Sequence, residues 1–195
     1  MSHGTTRPPV FIVGSPRSGT TLLYHMLLSA GGFVSYHAET HVFNLIGPRY
    51  RNLTRRTDRE KLLSEWIPSL RFSKTGLAAE DVTDAVLNDC HSPGDFLRIQ
   101  MEAMARQQNV AHWAECTPAN ANFMRQIQRS FPDARFIHII RDGRDVAVSM
   151  ERQRWIEPLP LCHNGYAAAA AYWDWTVRRA RSVGQILGNA LREVR

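Results

Sequence analysis

A glycine-bounded turn between an apolar run and a predicted helix is the first segment whose residues could do chemistry. Within VFIVGSPRSGTTLLYHML (10–27), Gly14 and Gly19 enclose four residues. Backbone N–H groups in such a turn curl around phosphate oxygens at the positive end of the following helix. Nucleoside triphosphatases place a lysine after the second glycine, whereas this chain has Thr20 there and its basic residue, Arg17, lies three residues earlier. The turn therefore predicts a phosphate cradle with its charge at the apex.

A second turn of the same kind follows the strongest apolar run of the chain. FIHIIRDGRDVAVSM (136–150) places Arg141 at a predicted strand end and Ser149 inside the next helix. A guanidinium and a hydroxyl in this arrangement could hold a second phosphate. The alternative is that Arg141 pairs with Asp142 or Asp145 and that Ser149 is merely packed. Two phosphate sites on one rim would describe a nucleotide with phosphates at both ends of its ribose.

Apolar runs that alternate with helical patterns indicate the fold. We predict strands at 10–13, 33–39, 110–115 and 134–140, separated by helical segments. Such alternation predicts an α/β fold, with a P-loop-like parallel sheet flanked by helices on both faces. Ligands of such sheets bind at the carboxyl ends of the strands. The turns after all four predicted strands can therefore line one rim.

The C-terminal part of the chain predicts one long helix. Apolar or small residues recur at steps of three and four from Tyr166 to Val194, which defines the face that packs on the sheet. The chain ends at Arg195, where a βαβ pattern would next supply a strand. We therefore expect 1–195 to be a single domain that lacks its C-terminal strand and leaves an open sheet edge.

Composition narrows the class of protein. With 24 Lys and Arg against 18 Asp and Glu, the net charge is +6, but no nucleic-acid recognition module accompanies it. The three cysteines form no CxxC pair and no run approaches the ~18 apolar residues of a membrane span, so we expect a soluble, cytoplasmic protein without a disulfide framework. Four histidines have no metal-ligand spacing, and we expect them to be hydrogen-bonded or solvated: His37, His41, His112 and His138. We therefore predict no metal site.

The two turn motifs together resemble the family of sulfotransferases that use 3′-phosphoadenylyl sulfate (PAPS). GSPRSGTTLL and FIHIIRDGRDVAVSM are similar to that family's 5′-phosphosulfate loop and 3′-phosphate motif, in the branch with arginine in the loop that includes tyrosylprotein and bacterial sulfotransferases. The resemblance covers about residues 9 to 154. It implies that the 3′-phosphate is bound by Arg141 and Ser149, and that the 5′-phosphosulfate is surrounded by Arg17, Ser18, Gly19, Thr20 and Thr21.

The resemblance also implies a mechanism. YHAETHVF (36–43) is similar to the family segment in which a glutamate just before threonine is the general base, which selects Glu39. Glu39 and Arg17 would then be the catalytic residues of an in-line transfer of sulfuryl to a hydroxyl or amine, without a metal. The implied partners are PAPS as co-substrate and a small-molecule, carbohydrate or peptide acceptor, with no nucleic acid or membrane.

Three departures from the family pattern qualify this expectation. In WAECTP (113–118), Cys116 occupies the position of a family lysine, and it is expected to be a packed residue rather than a nucleophile. Gln153 stands where the tyrosylprotein branch has an arginine, for which Arg152 on the Ser149 face is a substitute. The family's glycine-rich closing segment has no counterpart before Arg195. Three alternatives stay open: a truncated nucleotide-binding module without turnover, a P-loop kinase or nucleoside triphosphatase, and an arginine-rich nucleic-acid binder.

Overall fold

Four parallel strands form one sheet at the centre of the protein. The computed structural model describes residues 7–50, 52–154 and 165–195, and the strand order within these ranges is β2-β1-β3-β4. The parallel pairing confirms the predicted α/β class. The strands are β1 (Val10–Gly14), β2 (Ala114–Glu115), β3 (Arg135–Ile139) and β4 (Leu191–Val194).

Helices connect and cover the strands. α1 follows β1 directly, a group of helices separates β1 from β2, and α9 precedes β4. Shorter elements are a π-helix at Val42–Ile46 and 3₁₀ turns at Pro118–Asn122 and Gly188–Ala190. The α-helices are α1 (Thr20–Ser29), α2 (Gly47–Arg49), α3 (Arg56–Trp66), α4 (Leu70–Ser73), α5 (Glu80–Asp89), α6 (Pro93–Gln107), α7 (Met124–Ser130), α8 (Gly143–Arg152) and α9 (Gly165–Leu187).

Alternate side chains of β1 point to opposite faces of the sheet, because the side-chain period of a strand is two. Phe11 and Val13 belong to the main core, which also contains buried residues of α6, α7 and α9. Ile12 points the other way and packs with Tyr24 of α1. The sheet is therefore covered by helices on both faces, as the sequence predicted.

Of the four predicted strands, one is absent and one is shorter than predicted. Residues 33–39 form no strand, since only Phe33 makes an isolated bridge to His112. The predicted strand at 110–115 is reduced to β2, Ala114–Glu115. A strand needs a neighbouring strand to satisfy its backbone N–H and C=O groups. β2 has only two residues, so it offers segment 33–39 too few partners.

The prediction for the end of the chain was wrong in one respect. α9 ends at Leu187, and Leu191–Val194 forms β4, which pairs in parallel with β3. The helix predicted to continue to Val194 therefore ends earlier, and a strand takes the place of its last turn. Leu191 and Val194 had been assigned to the helix because they continue its steps of three and four, although Gly188, with φ of 53°, breaks the helix before them.

β1 and β3 approach each other closely at the end where the site lies. Gly14 is paired with Ile139, and a Cβ at Gly14 would lie 2.6 Å from the Ile139 carbonyl oxygen. This distance is too short for a Cβ atom, so no residue with a side chain fits at position 14 without a shift of the backbone. The first glycine of the loop motif is therefore required by strand packing.

We predict that Gly14→Ala lowers the free energy of unfolding by about 1–3 kcal/mol, because overpacking against a backbone carbonyl cannot be relieved by a rotamer change. Gly184→Ala in α9 is the matched control. The added methyl there meets the Leu191 side chain at 3.3 Å, which can adjust, and alanine favours the helix by about 1 kcal/mol. Urea denaturation of both variants measures the difference. Equal stability of the two variants would contradict the close-packing explanation.

Candidate active site

The loop after β1 presents unused hydrogen-bond donors. Gly19, with φ of 95°, is the N-cap of α1, which has no side-chain cap and no acidic residue in its first turn. The first N–H groups of a helix have no intrahelical partner, so they are available to an anion. The hydroxyl of Ser18 is buried and has no hydrogen-bond partner among the described residues. The loop therefore has the donors that a phosphate cradle requires.

Arg17 connects this loop to the second turn motif. Its backbone is left-handed, with φ of 69°, and its exposed side chain reaches α8, where Nε donates to Ser149 Oγ at 3.0 Å. The two residues are 132 positions apart in sequence. A non-glycine residue in this backbone region is uncommon and is held there by its surroundings. The fold thus brings the two predicted phosphate motifs into direct contact.

A hollow of about 410 Å³ lies beside Ser149 on α8. Within it, Nη2 of Arg141 lies 3.3 Å from Oδ2 of Asp145, while Arg152 and Gln153 complete the polar lining. Arg141 and Ser149 therefore share one concave surface. Arg152 lines the same hollow, where we expected it to substitute for the family arginine that Gln153 replaces.

The next arginine in the turn, Arg144, has a different partner. Asp142 caps α8 by accepting from the Arg144 backbone N–H, and its carboxylate pairs with the Arg144 guanidinium at 2.6 Å. These hydrogen bonds lower the pKa of Asp142 to about 2. Asp142 is thus occupied by Arg144, and Arg141 pairs with Asp145, one of the two partners that the alternative interpretation of this turn named.

Glu39 lies in an irregular segment rather than at a strand end. Its side chain is partly exposed, and its Oε2 is 3.1 Å from Nε2 of His41. His41 was not assigned a role from sequence; its spacing of two residues from Glu39 was the available signal. No hydrogen bond or ion pair joins Glu39 to Arg17 within the described parts of the chain.

Cys116 lies between the loop and the two glutamates of this region. Burial, with smaller contributions from the Glu115 and Glu39 carboxylates, raises the pKa of Cys116 to about 12, although a hydrogen bond with Thr20 opposes the rise. A thiol with this pKa is protonated at neutral pH and is a poor nucleophile. The geometry supports the interpretation of Cys116 as a packed residue.

Glu115 is a polar centre that the sequence interpretation missed. Its carboxylate is 1% exposed and accepts hydrogen bonds from Thr40, Thr117 and Asn120. A charged residue inside the apolar stretch VAHWAE was the only signal, and the partner 75 residues away could not be inferred from it.

One histidine differs from expectation. His138 is fully buried in β3, and neither ring nitrogen has a hydrogen-bond partner in the ranges that the structure describes. Burial lowers its pKa.

No group of three or more potential metal ligands occurs among the described residues. None of the helices described is long and apolar enough to cross a membrane.

The sequence pattern of the Sulfotransferase family matches residues 8–187, which include both turn motifs and all but the last strand. The chain belongs to the sulfotransferase family.

The sulfotransferase relatives are longer proteins. The chain is 30% identical to protein-tyrosine sulfotransferase A of Caenorhabditis elegans over 142 residues, which is 73% of this chain and 32% of that protein. It is also 30% identical to the protein-tyrosine sulfotransferase of Drosophila melanogaster over 144 residues, 73% of this chain and 25% of that protein. The chain thus spans about a quarter to a third of the curated relatives that it matches.

A solved sulfotransferase structure shares the fold. The sulfotransferase domain of the Synechococcus PCC 7002 olefin synthase superposes with a TM-score of 0.65 at 21% identity, covering 100% of this chain and 68% of that one. At this identity the similarity establishes the architecture alone.

We predict that Cys116 is alkylated by iodoacetamide at pH 8 at least about tenfold more slowly in the folded chain than in urea, because burial holds its pKa well above the ordinary value of 9.0. The rate should still be rising at pH 10, since the thiol remains below its pKa. Site-resolved mass spectrometry of the Cys116 peptide measures it. Equal rates at pH 8 in the folded and unfolded chain would contradict the protonated thiol.

Proposed function

We propose that this chain binds PAPS and transfers its sulfuryl group to a hydroxyl or amine acceptor. The observation that carries the proposal is the hydrogen bond of 3.0 Å from Arg17 to Ser149. It joins the loop motif to the second motif, which supports the binding of one nucleotide by both motifs. The phosphates of a nucleoside triphosphate form one chain, so such a ligand would not need a second phosphate-binding site.

Each phosphate group of the donor would meet a different set of residues. The 3′-phosphate would replace Asp145 as the partner of Arg141 and would accept from Ser149, with Arg152 beside them. Arginine suits this role because its planar fork donates two parallel hydrogen bonds to a phosphate. The 5′-phosphosulfate would lie at the N-terminus of α1, among Arg17, Ser18, Gly19, Thr20 and Thr21.

The proposed chemistry needs a base and a stabilised leaving group. Glu39 would take the proton of the acceptor as its oxygen or nitrogen attacks sulfur, and the S–O bond to the 5′-phosphate would break. A positioned base typically contributes about 10²- to 10⁴-fold to the rate. Arg17 and the loop N–H groups would stabilise the charge that accumulates on the departing phosphate.

The absence of the family lysine places this electrostatic role on Arg17. Cys116 stands at the lysine position, and as a neutral thiol it supplies no positive charge. Arg17 is the cation of the loop itself, and its left-handed backbone directs it across the mouth of the cradle toward α8. The sulfuryl group in transfer carries less charge than a phosphoryl group, so we propose no metal ion.

The names of the relatives suggest which acceptor to test first. Both are called protein-tyrosine sulfotransferases, so a peptide containing tyrosine is the first acceptor to test. Carbohydrates and small amines are the next. The helical region between Val42 and Gln107 would shape the acceptor side of the site.

We predict that adenosine 3′,5′-bisphosphate raises the melting temperature of the chain, whereas ATP with magnesium does not. Arg141→Ala should weaken bisphosphate binding at least about tenfold, since a hydrogen bond to a charged group contributes about 1.5–3 kcal/mol. Arg144→Ala is the matched control from the same turn, because Arg144 pairs with Asp142 and does not line the hollow. Isothermal titration calorimetry measures both.

A preference for magnesium ATP would favour the triphosphatase alternative and contradict the proposal. Equal losses in Arg141→Ala and Arg144→Ala would instead show that the turn acts only through its net charge, and the 3′-phosphate assignment would be wrong.

We predict that Glu39→Gln lowers turnover by about 10²- to 10⁴-fold while bisphosphate binding stays within twofold, because the substitution removes the base without changing either phosphate site. The assay follows release of bisphosphate from PAPS in the presence of a tyrosine peptide. Glu60→Gln is the control, since Glu60 also sits in an exposed ion pair, with Arg56, far from the loop in sequence. Retained turnover in Glu39→Gln would exclude Glu39 as the base. A wild-type chain that binds bisphosphate but never releases it from PAPS would be a binding module without turnover.

A further inference from the structure

Glu115 is a buried carboxylate to which the proposed reaction assigns no role. It ends β2 and is 1% exposed, yet it has four hydrogen-bond donors. Oε1 accepts from the hydroxyls of Thr40, at 2.8 Å, and Thr117. Oε2 accepts from the Thr117 backbone N–H, at 3.1 Å, and from the side-chain amide of Asn120. A buried carboxylate is costly unless its oxygens are satisfied, and here both of them are.

The donors of Glu115 come from the two segments that border Glu39. Thr40 follows Glu39 directly in sequence and bonds Glu115 through its hydroxyl. Thr117 accepts from the His41 backbone N–H at 3.4 Å, and the imidazole of His41 lies 3.1 Å from the Glu39 carboxylate. Glu39 is therefore attached to the end of β2 by two routes, one through Thr40 and one through Thr117 and His41.

The other contacts of the segment that carries Glu39 precede that residue: the Gln108 side chain bonds the Ser35 backbone, and the His37 ring stacks on another histidine. Before it, Val34 donates to the His112 carbonyl and Tyr24 donates to the Tyr36 carbonyl. Residues 37–40 form no backbone–backbone hydrogen bond within the parts of the chain that the structure describes. A carboxylate on such a segment has no fixed position unless side chains hold the backbone.

We propose that Glu115 is a positioning residue that fixes the proposed base Glu39 through Thr40 and Thr117. The inference rests on the proposed function and adds a group that touches neither substrate nor donor. Its effect is geometric, because a base misplaced by about 1 Å loses on the order of 10²-fold in rate. Burial raises the pKa of Glu115, while the hydrogen bonds from Thr117 and Thr40 oppose that rise. The fixed donors at Oε2, a backbone N–H and an amide, match an oxygen that accepts only.

The test uses a matched pair of substitutions at Thr40. Thr40→Val keeps the shape of the side chain but removes the donor to Glu115, whereas Thr40→Ser keeps the hydroxyl. We expect Thr40→Val to lower kcat for bisphosphate release from PAPS at least tenfold, with KM for PAPS and Kd for bisphosphate within twofold of wild type. Thr40→Ser should retain most of kcat. Equal kcat in Thr40→Val and wild type would overturn the proposal.

A double-mutant cycle separates positioning from general destabilisation. If Thr40 acts through Glu39, Thr40→Val should have little effect in a Glu39→Gln background, because the base that it positions is already gone. Two independent losses that multiply would show that Thr40 and Glu115 support the fold rather than the base, and would contradict the inference. Glu115→Gln serves as a second variant. We expect it to lower kcat at least tenfold, since an amide cannot accept from all four donors.

The outcome for the wild-type chain keeps this inference distinct from the proposed function. A wild type that neither binds bisphosphate nor turns over PAPS removes the proposed function, and the positioning role falls with it. A wild type that does both, beside Thr40→Val and Glu115→Gln variants with unchanged kcat, leaves the function standing and removes the role of Glu115 alone.

Discussion

The close parallel pairing of β1 with β3 is the constraint on which the site depends. Gly14 and Ile139 are partners at the carboxyl ends of these strands, and the absence of a side chain at Gly14 lets the two backbones meet. Each strand then releases its chain into a turn and a helix on the same rim. Arg17 and Ser149 touch only because of this pairing. Neither turn alone carries both of these side chains.

The rim contains two kinds of polar organisation. Around the first turn of α1, donors are left open, as the unpartnered hydroxyl of Ser18 shows for the described residues. Around Glu115, acceptors are filled from three neighbours. Open donors suit the proposed ligand, whereas filled acceptors suit the proposed positioning role of Glu115. Cys116 lies at their boundary as a neutral thiol, which separates them without adding charge.

Local pattern predicted those features that depend on a short stretch of chain. β1, β3 and the turns that carry Arg17 and Arg141 were all found from apolar runs and glycine spacing. Segment 33–39 was misjudged because an extended pattern does not reveal whether a neighbouring strand exists. β4 was missed because Leu191 continues a helical period by coincidence. The hydrogen bonds of Glu115 could not be predicted, since one donor is a threonine 75 residues away.

Two basic side chains of the rim already have partners within the protein. Arg17 is bonded to Ser149, and Arg141 is paired with Asp145. An arriving anion must therefore exchange these contacts rather than simply add new ones, so its net gain is smaller than a count of hydrogen bonds suggests. In return, neither guanidinium has to be ordered from a freely rotating state. For the proposed nucleotide we therefore expect modest affinity and high selectivity, because only a ligand that engages both arginines at once offsets both exchanges.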